Sequence, residues 1–150
     1  MTTENPNVIS ILYADDDPED RMLAKDALEE SNISNIMHFV EDGEELIQYL
    51  RNEGNYEDKE KHPTPSLVLL DLNMPKKDGR EALKEIKEDP ALRKIPVVIL
   101  TTSSAEEDVL KTYDMGVSSF ITKPVTFDGL VEIMHTLGKY WSEIVELPNS

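Results

Sequence analysis

Four short apolar runs each end in side chains able to bind a cation or an anion. Asp15, Asp16 and Asp17 follow the run at 8–14, and Asp71 follows the run at 67–70. Thr101 and Thr102 follow 97–100, and Lys123, with Pro124 behind it, follows 120–122. Carboxylates that converge on one pocket repel each other, so either some take up protons or a cation neutralises them. The chain has no Cys, and its three His are scattered at 38, 62 and 135. The donors are therefore hard oxygens, which suit Mg²⁺ with waters completing the octahedron. A hydroxyl and an ammonium on the same rim would complement phosphoryl oxygens. Each residue also has an ordinary reading: a helix cap with solvated charge for 15–17, strand termination for Thr101, a surface cation for Lys123. The chemical reading requires all of them on one rim, with the strands that carry Asp15 and Asp71 as neighbours.

The elements that must place them alternate along the chain. Apolar runs at 8–14, 36–40, 67–70, 97–100 and 120–122 are separated by stretches whose apolar residues recur three and four apart. Leu23, Ala24, Ala27 and Leu28 form one such stripe; Leu46, Ile47 and Leu50 form another; Leu83 and Ile86 belong to a third. The runs at 67–70 and 97–100 are continuously apolar, as parallel strands covered on both faces are. Helix starts are marked by Asp17 before Pro18 and by Asp42 with Glu45, Asp78 with Glu81, and Ser104 with Glu107. Alternation of this kind predicts right-handed βαβ units and an α/β fold. Five strands are too few for an eight-fold barrel. An open doubly wound sheet remains, in which ligands sit outside the carboxyl ends of the strands. The periodicity does not supply the strand order.

Residues 51–66, with Gly54, Pro63, Pro65 and many charges, read as a long surface loop. Leu130, Ile133, Met134, Leu137, Trp141, Ile144 and Val145 share one helical stripe, which predicts an extended last helix reaching 147. The 150 residues carry 15 Lys and Arg against 31 Asp and Glu, a net charge of −16. That excess argues against nucleic acid and anionic membrane surfaces as partners. No apolar run approaches the ~20 residues of a membrane span, and residues 1–7 lack a signal-peptide pattern. The expectation is a cytoplasmic protein with a short tail at 1–7, one domain over 8–147 and a tail at 148–150. Neither a G-x-x-x-x-G-K-[ST] string nor G-x-G-x-x-G occurs, which excludes the usual nucleotide cradles.

The segments ILYADDDPED at 11–20, LVLLDLNMPKKDG at 67–79, VVILTTS at 97–103 and FITKP at 120–124, in that order and spacing, resemble a two-component response-regulator receiver domain. The resemblance implies a flavodoxin-like (βα)5 fold with strand order 2-1-3-4-5. It implies Asp71 as phosphoacceptor, and Asp15, Asp16, Asp71 and the main-chain carbonyl of Asn73 as Mg²⁺ ligands. Asp17 falls at a variable position and reads as the N-cap. Thr101 matches the switch hydroxyl, Lys123 the phosphate-pairing cation and Phe120 the switch aromatic. Pro124 implies a cis Lys123–Pro124 peptide. Gly79 fits a tight approach after the Met74-Pro75 turn. Asn73 and Ser103 are candidates for tuning hydrolysis of the aspartyl phosphate.

The loop at 51–66 and the ending YWSEIV at 140–145 resemble the stand-alone regulators that partner bacterial and cyanobacterial phytochrome histidine kinases. The implied partner is a histidine kinase of that type or a phosphotransfer protein. Homodimerisation through the fourth helix, fifth strand and fifth helix, with the C-terminal extension, is implied likewise. A receiver catalyses only its own phosphorylation and dephosphorylation, so no other enzymatic activity is expected. Two other readings exist. One is a binding adaptor with the receiver fold whose signalling no longer needs phosphate, although all the functional positions are intact. A haloacid-dehalogenase-type phosphatase would use Asp15-x-Asp17, but it leaves Asn73 and Lys123-Pro124 unexplained.

Overall fold

The computed structural model describes residues 9–31, 35–102, 106–123 and 126–139. The strands are β1 (Ile9–Ala14), β2 (Asn35–Val40), β3 (Leu67–Leu70), β4 (Val97–Thr101) and β5 (Ser119–Thr122). The α-helices are α1 (Pro18–Glu30), α2 (Gly43–Arg51), α3 (Gly79–Glu88), α4 (Glu106–Asp114) and α5 (Phe127–Lys139). All strand pairings are parallel, in the order β2-β1-β3-β4-β5. The expected flavodoxin-like order is the one observed, and it makes β1 and β3 neighbours.

The two-residue period of the strands divides the core into two layers. Leu12, Ala14, Val68, Leu70, Val97 and Ile99 face α2 and α3, meeting Leu46, Ile47, Tyr49, Leu50, Ala82, Leu83 and Ile86. Ile11, Tyr13, Leu67, Leu69, Val98 and Leu100 face α1 and α5, meeting Ala24, Ala27, Leu28, Leu130, Met134 and Leu137. Every residue of β3 and β4 is buried, which accounts for their unbroken apolar sequence. Burial of each such Leu or Ile contributes about 1.5–3 kcal/mol.

Three predicted caps lie among the described residues. Asp17 accepts from the backbone N–H of Glu19 and Asp20 at the head of α1. Asp42 accepts from Glu45 N–H, while Asp78 accepts from Arg80 rather than Glu81. Ser104, Ser103, Pro124 and residues 140–147 of the predicted stripe lie outside the described residues.

The segment 51–66 is exposed along 57–61 but anchored at its base. Asn52 closes α2 in the left-handed region at φ 54°. Its side-chain amide donates to the carbonyls of Tyr56 and His62. A short 3-10 turn at Gly54–Tyr56 then stacks Tyr56 and His62 against Tyr49, with His38 of β2 alongside. The polar composition of this segment concealed an aromatic root.

Candidate functional site

The rim is built by main-chain hydrogen bonds that run one residue past the strands. Asp15 N–H donates to Val40 O, Asp71 N–H to Ala14 O, and Lys123 N–H to Thr101 O. The ladder that pairs the strands thus also sets where the functional side chains emerge. Behind Asp71 the chain turns and must pass close to itself. Gly79 N–H donates to Leu72 O, and a Cβ at Gly79 would lie 2.3 Å from Asp71 O. Only glycine fits there.

Asp15 and Asp71 are buried at 0% and 6% exposure, whereas Asp16 is exposed. One carboxylate oxygen from each of the three can lie within 4.8 Å of the others. Asp71 Oδ1 accepts from the Thr101 hydroxyl at 2.7 Å and from Asn73 N–H at 3.0 Å. The Asn73 side-chain amide donates to Thr101 Oγ1 and Thr102 Oγ1 at 3.4 and 3.2 Å. Asp15 Oδ1 accepts from Asp17 N–H at 2.9 Å, and Asp15 Oδ2 accepts from the hydroxyl of buried Tyr13 at 2.9 Å. Burial first, and then the adjacent Asp15 charge, push the Tyr13 phenol well above its ordinary value, so it serves as a donor.

Lys123 arrives from the end of β5. Its ammonium lies 2.6 Å from Asp15 Oδ2, 2.8 Å from Asp20 Oδ2 and 3.4 Å from Asp71 Oδ2. Burial by itself would lower its pKa. Hydrogen bonds to Asp15 and Asp20 and the charges of Asp15 and Asp71 outweigh burial and raise it. Lys123 is therefore a fixed positive charge.

The structure brings Asp15, Asp16, Asp71, Asn73, Thr101 and Lys123 to one rim. Phe120 lies apart from the acids. It pairs in register with Ile99 and packs, half-buried, against the α2/α3 layer of the core. The Lys123–Pro124 peptide lies outside the described residues. Asp17 serves as the cap of α1, its Oδ1 accepting from the N–H of Glu19 and Asp20.

Three contributors escaped the sequence reading. Asp20 shares Lys123, Tyr13 holds Asp15, and Arg21 donates to Asp15 O at 2.7 Å. An acid in the first turn of a helix is an ordinary sight, so Asp20 carried no local signal of a partner 103 residues away.

Asp15, Asp16 and Asp71, the three acids whose oxygens gather, carry a formal charge of −3. An oxygen-only cluster with that excess fits a hard divalent cation at Asp15, Asp16 and Asp71.

The comparisons with known proteins agree with this geometry. The model of the response regulator receiver domain matches residues 11–135. Response regulator Rcp1 of Synechocystis sp. is 41% identical over 148 residues, 99% of each chain. A crystal structure of the phosphorylated cyanobacterial phytochrome response regulator RcpA superposes with a TM-score of 0.84 at 41% identity, covering 94% of this chain and 99% of that one. The Mn²⁺-bound form of Rcp1 superposes with a TM-score of 0.83 at 40% identity, with the same coverage. Among the described residues no helix is long and apolar enough to cross a membrane. By its matched domain and by the share of Rcp1 it spans, the chain belongs to the family of response regulator receiver domains.

Proposed function

We propose that this regulator accepts a phosphoryl group on Asp71 from a phosphohistidine of a phytochrome-type histidine kinase, or of a phosphotransfer protein. The observation that carries the reading is the Asp71 carboxylate held by Thr101 and Asn73 on one oxygen and facing Lys123 with the other. Oδ1 already accepts two hydrogen bonds, so Oδ2 is the oxygen better placed to attack. In an in-line transfer the Oδ2–P bond forms as the P–N bond breaks, and the imidazole nitrogen leaves with the electron pair. The product is a mixed anhydride of aspartate and phosphate.

In the transition state charge spreads over three equatorial oxygens. The Thr101 hydroxyl and the Lys123 ammonium stand where they can neutralise it, acting by position and electrostatics. Asp15, Asp16, Asp71 and the main-chain carbonyl of Asn73 would hold Mg²⁺, which supplies further positive charge to those oxygens. Tyr13 and Arg21 keep Asp15 in place. Water later cleaves the anhydride, and Asn73 and Ser103 are the candidates for tuning that rate. The chain's catalysis is confined to these two steps on itself.

The signal would leave through Thr101, Phe120 and the surface of α4, β5 and α5, with a second copy of the chain as one partner. The phytochrome response regulator RcpA that the chain resembles supports the choice of kinase, and a cytoplasmic place of work belongs to the same proposal. On this reading residues 8–147 act as one receiver unit, with the 51–66 loop on its surface and short tails at 1–7 and 148–150.

The test is labelling by a phosphohistidine donor and by acetyl phosphate with Mg²⁺, read by intact mass. The wild type gains one phosphoryl group that Asp71→Asn does not, with the fold of the variant retained. Labelling of Asp71→Asn equal to wild type overturns the assignment.

A further inference from the structure

Lys123 is divided among three carboxylates, and its place among them is not the one phosphoryl transfer calls for. Its ammonium is at hydrogen-bond distance from Asp15 and Asp20, at 2.6 and 2.8 Å, and farther from Asp71, at 3.4 Å. An ammonium has three donors. Two are engaged by acids other than Asp71, and the third is only loosely directed at it.

Asp20 differs from the other two acids. It stands in the first turn of α1, where the helix N-terminus favours a negative charge. Its side chain is 35% exposed, against 0% for Asp15 and 8% for Asp71. It is not one of the three acids whose oxygens gather within 4.8 Å, so its link to the site runs through the lysine rather than through a metal. A cavity of about 280 Å³ opens beside the pair, lined by Tyr13, Asp20, Leu23, Leu100, Lys123 and Leu130 among others. The lysine and Asp20 therefore have room to part.

We infer that Asp20 is a positioning residue for phosphoryl transfer: it holds Lys123 back from Asp71, and the incoming phosphoryl group must compete with it for the ammonium. This rests on Asp71 being the phosphoacceptor. A phosphoryl group adds about −1.5 to −2 of charge and three acceptor oxygens. Asp15 is enclosed and braced by Tyr13, so its hold on Lys123 persists. Asp20, about a third exposed and more strongly screened, is the contact that yields. It acts as a restraint on the phosphorylated state and takes no part in the bond changes.

Asp20→Asn keeps the size of the side chain and removes its charge. Beryllofluoride with Mg²⁺ serves as the probe of the phosphorylated state, and acetyl phosphate as the donor. Asp20→Asn is expected to bind beryllofluoride about threefold more tightly and to label about threefold faster, the scale of a partly exposed ion pair. Asp20→Glu restores wild-type values. Mg²⁺ affinity without beryllofluoride stays unchanged in both variants, as a purely structural or general field effect would not leave it. Beryllofluoride affinity that is unchanged or weaker in Asp20→Asn overturns the inference, as does an equal change in Mg²⁺ affinity. If the wild type labels at Asp71 and Asp20→Asn behaves identically, only this inference falls. If the wild type takes no label at Asp71, the phosphoacceptor reading fails and this one fails with it.

Discussion

The Thr101 hydroxyl donates to Asp71 Oδ1 at 2.7 Å, joining the ends of adjacent strands across 30 residues of sequence. Both side chains are buried, so the bond forms where water competes poorly. It orients Asp71 and, on the proposed reading, puts a donor beside the phosphoacceptor.

Thr101→Val tests that contact at nearly constant volume. Asp71 Oδ1 would keep the N–H of Asn73 and lose the hydroxyl. We expect labelling by acetyl phosphate to slow about tenfold, the loss of about 1.4 kcal/mol of transition-state stabilisation. The fold should persist, with denaturant unfolding showing a loss of about 1–3 kcal/mol. Labelling at the wild-type rate would remove Thr101 from the chemistry.

Asp16→Asn tests the cation site. Asp16 is exposed, and among the described residues its carboxylate takes part in no hydrogen bond or ion pair. The substitution relieves repulsion from Asp15 and Asp71 while removing one ligand. Divalent-ion affinity measured by titration should fall about tenfold, and the melting temperature without metal should hold or rise. A large loss of stability in the absence of metal would instead mark Asp16 as structural.

Gly79→Ala tests the approach behind Asp71. The added Cβ would lie 2.3 Å from Asp71 O and 2.7 Å from Leu72 Cα, and neither backbone atom can yield as a side chain does. A loss of about 3 kcal/mol or more is expected from denaturant unfolding, with labelling reduced because Asp71 itself must shift. A variant as stable as wild type would show that the loop relaxes freely.

The His38 ring gives a pH-dependent term. Burial, and then the neighbouring His62, lower its pKa below 6.5 in the folded chain. The unfolded chain therefore binds the proton first as pH falls, so this group removes stability below about pH 6.5 and contributes nothing to the slope above it. In melting experiments between about pH 7.5 and about pH 5.5, His38→Gln should lose less stability than wild type. Equal slopes would discount His38.

Much of this molecule was legible before folding was considered. Acids, hydroxyls and a lysine at the ends of apolar runs mark a strand-end site. The caps at Asp17 and Asp42 announce α1 and α2 because capping is a contact between near neighbours in sequence. The continuous apolar sequence of β3 and β4 reflects burial on both faces. Periodicity could not order the strands, which came from the resemblance to receivers. It gave no hint that Asp20 meets Lys123, that Tyr13 braces Asp15, or that an aromatic cluster roots the polar loop at 51–66. Those relationships join residues whose local environments look ordinary, or face directions that only the packed helix or strand defines. Local chemistry in the chain determined which side chains stand at strand ends; the parallel pairing of β1 with β3 and of β4 with β5 decided which of them share a charge, because only packing brings groups so distant in sequence within hydrogen-bond reach.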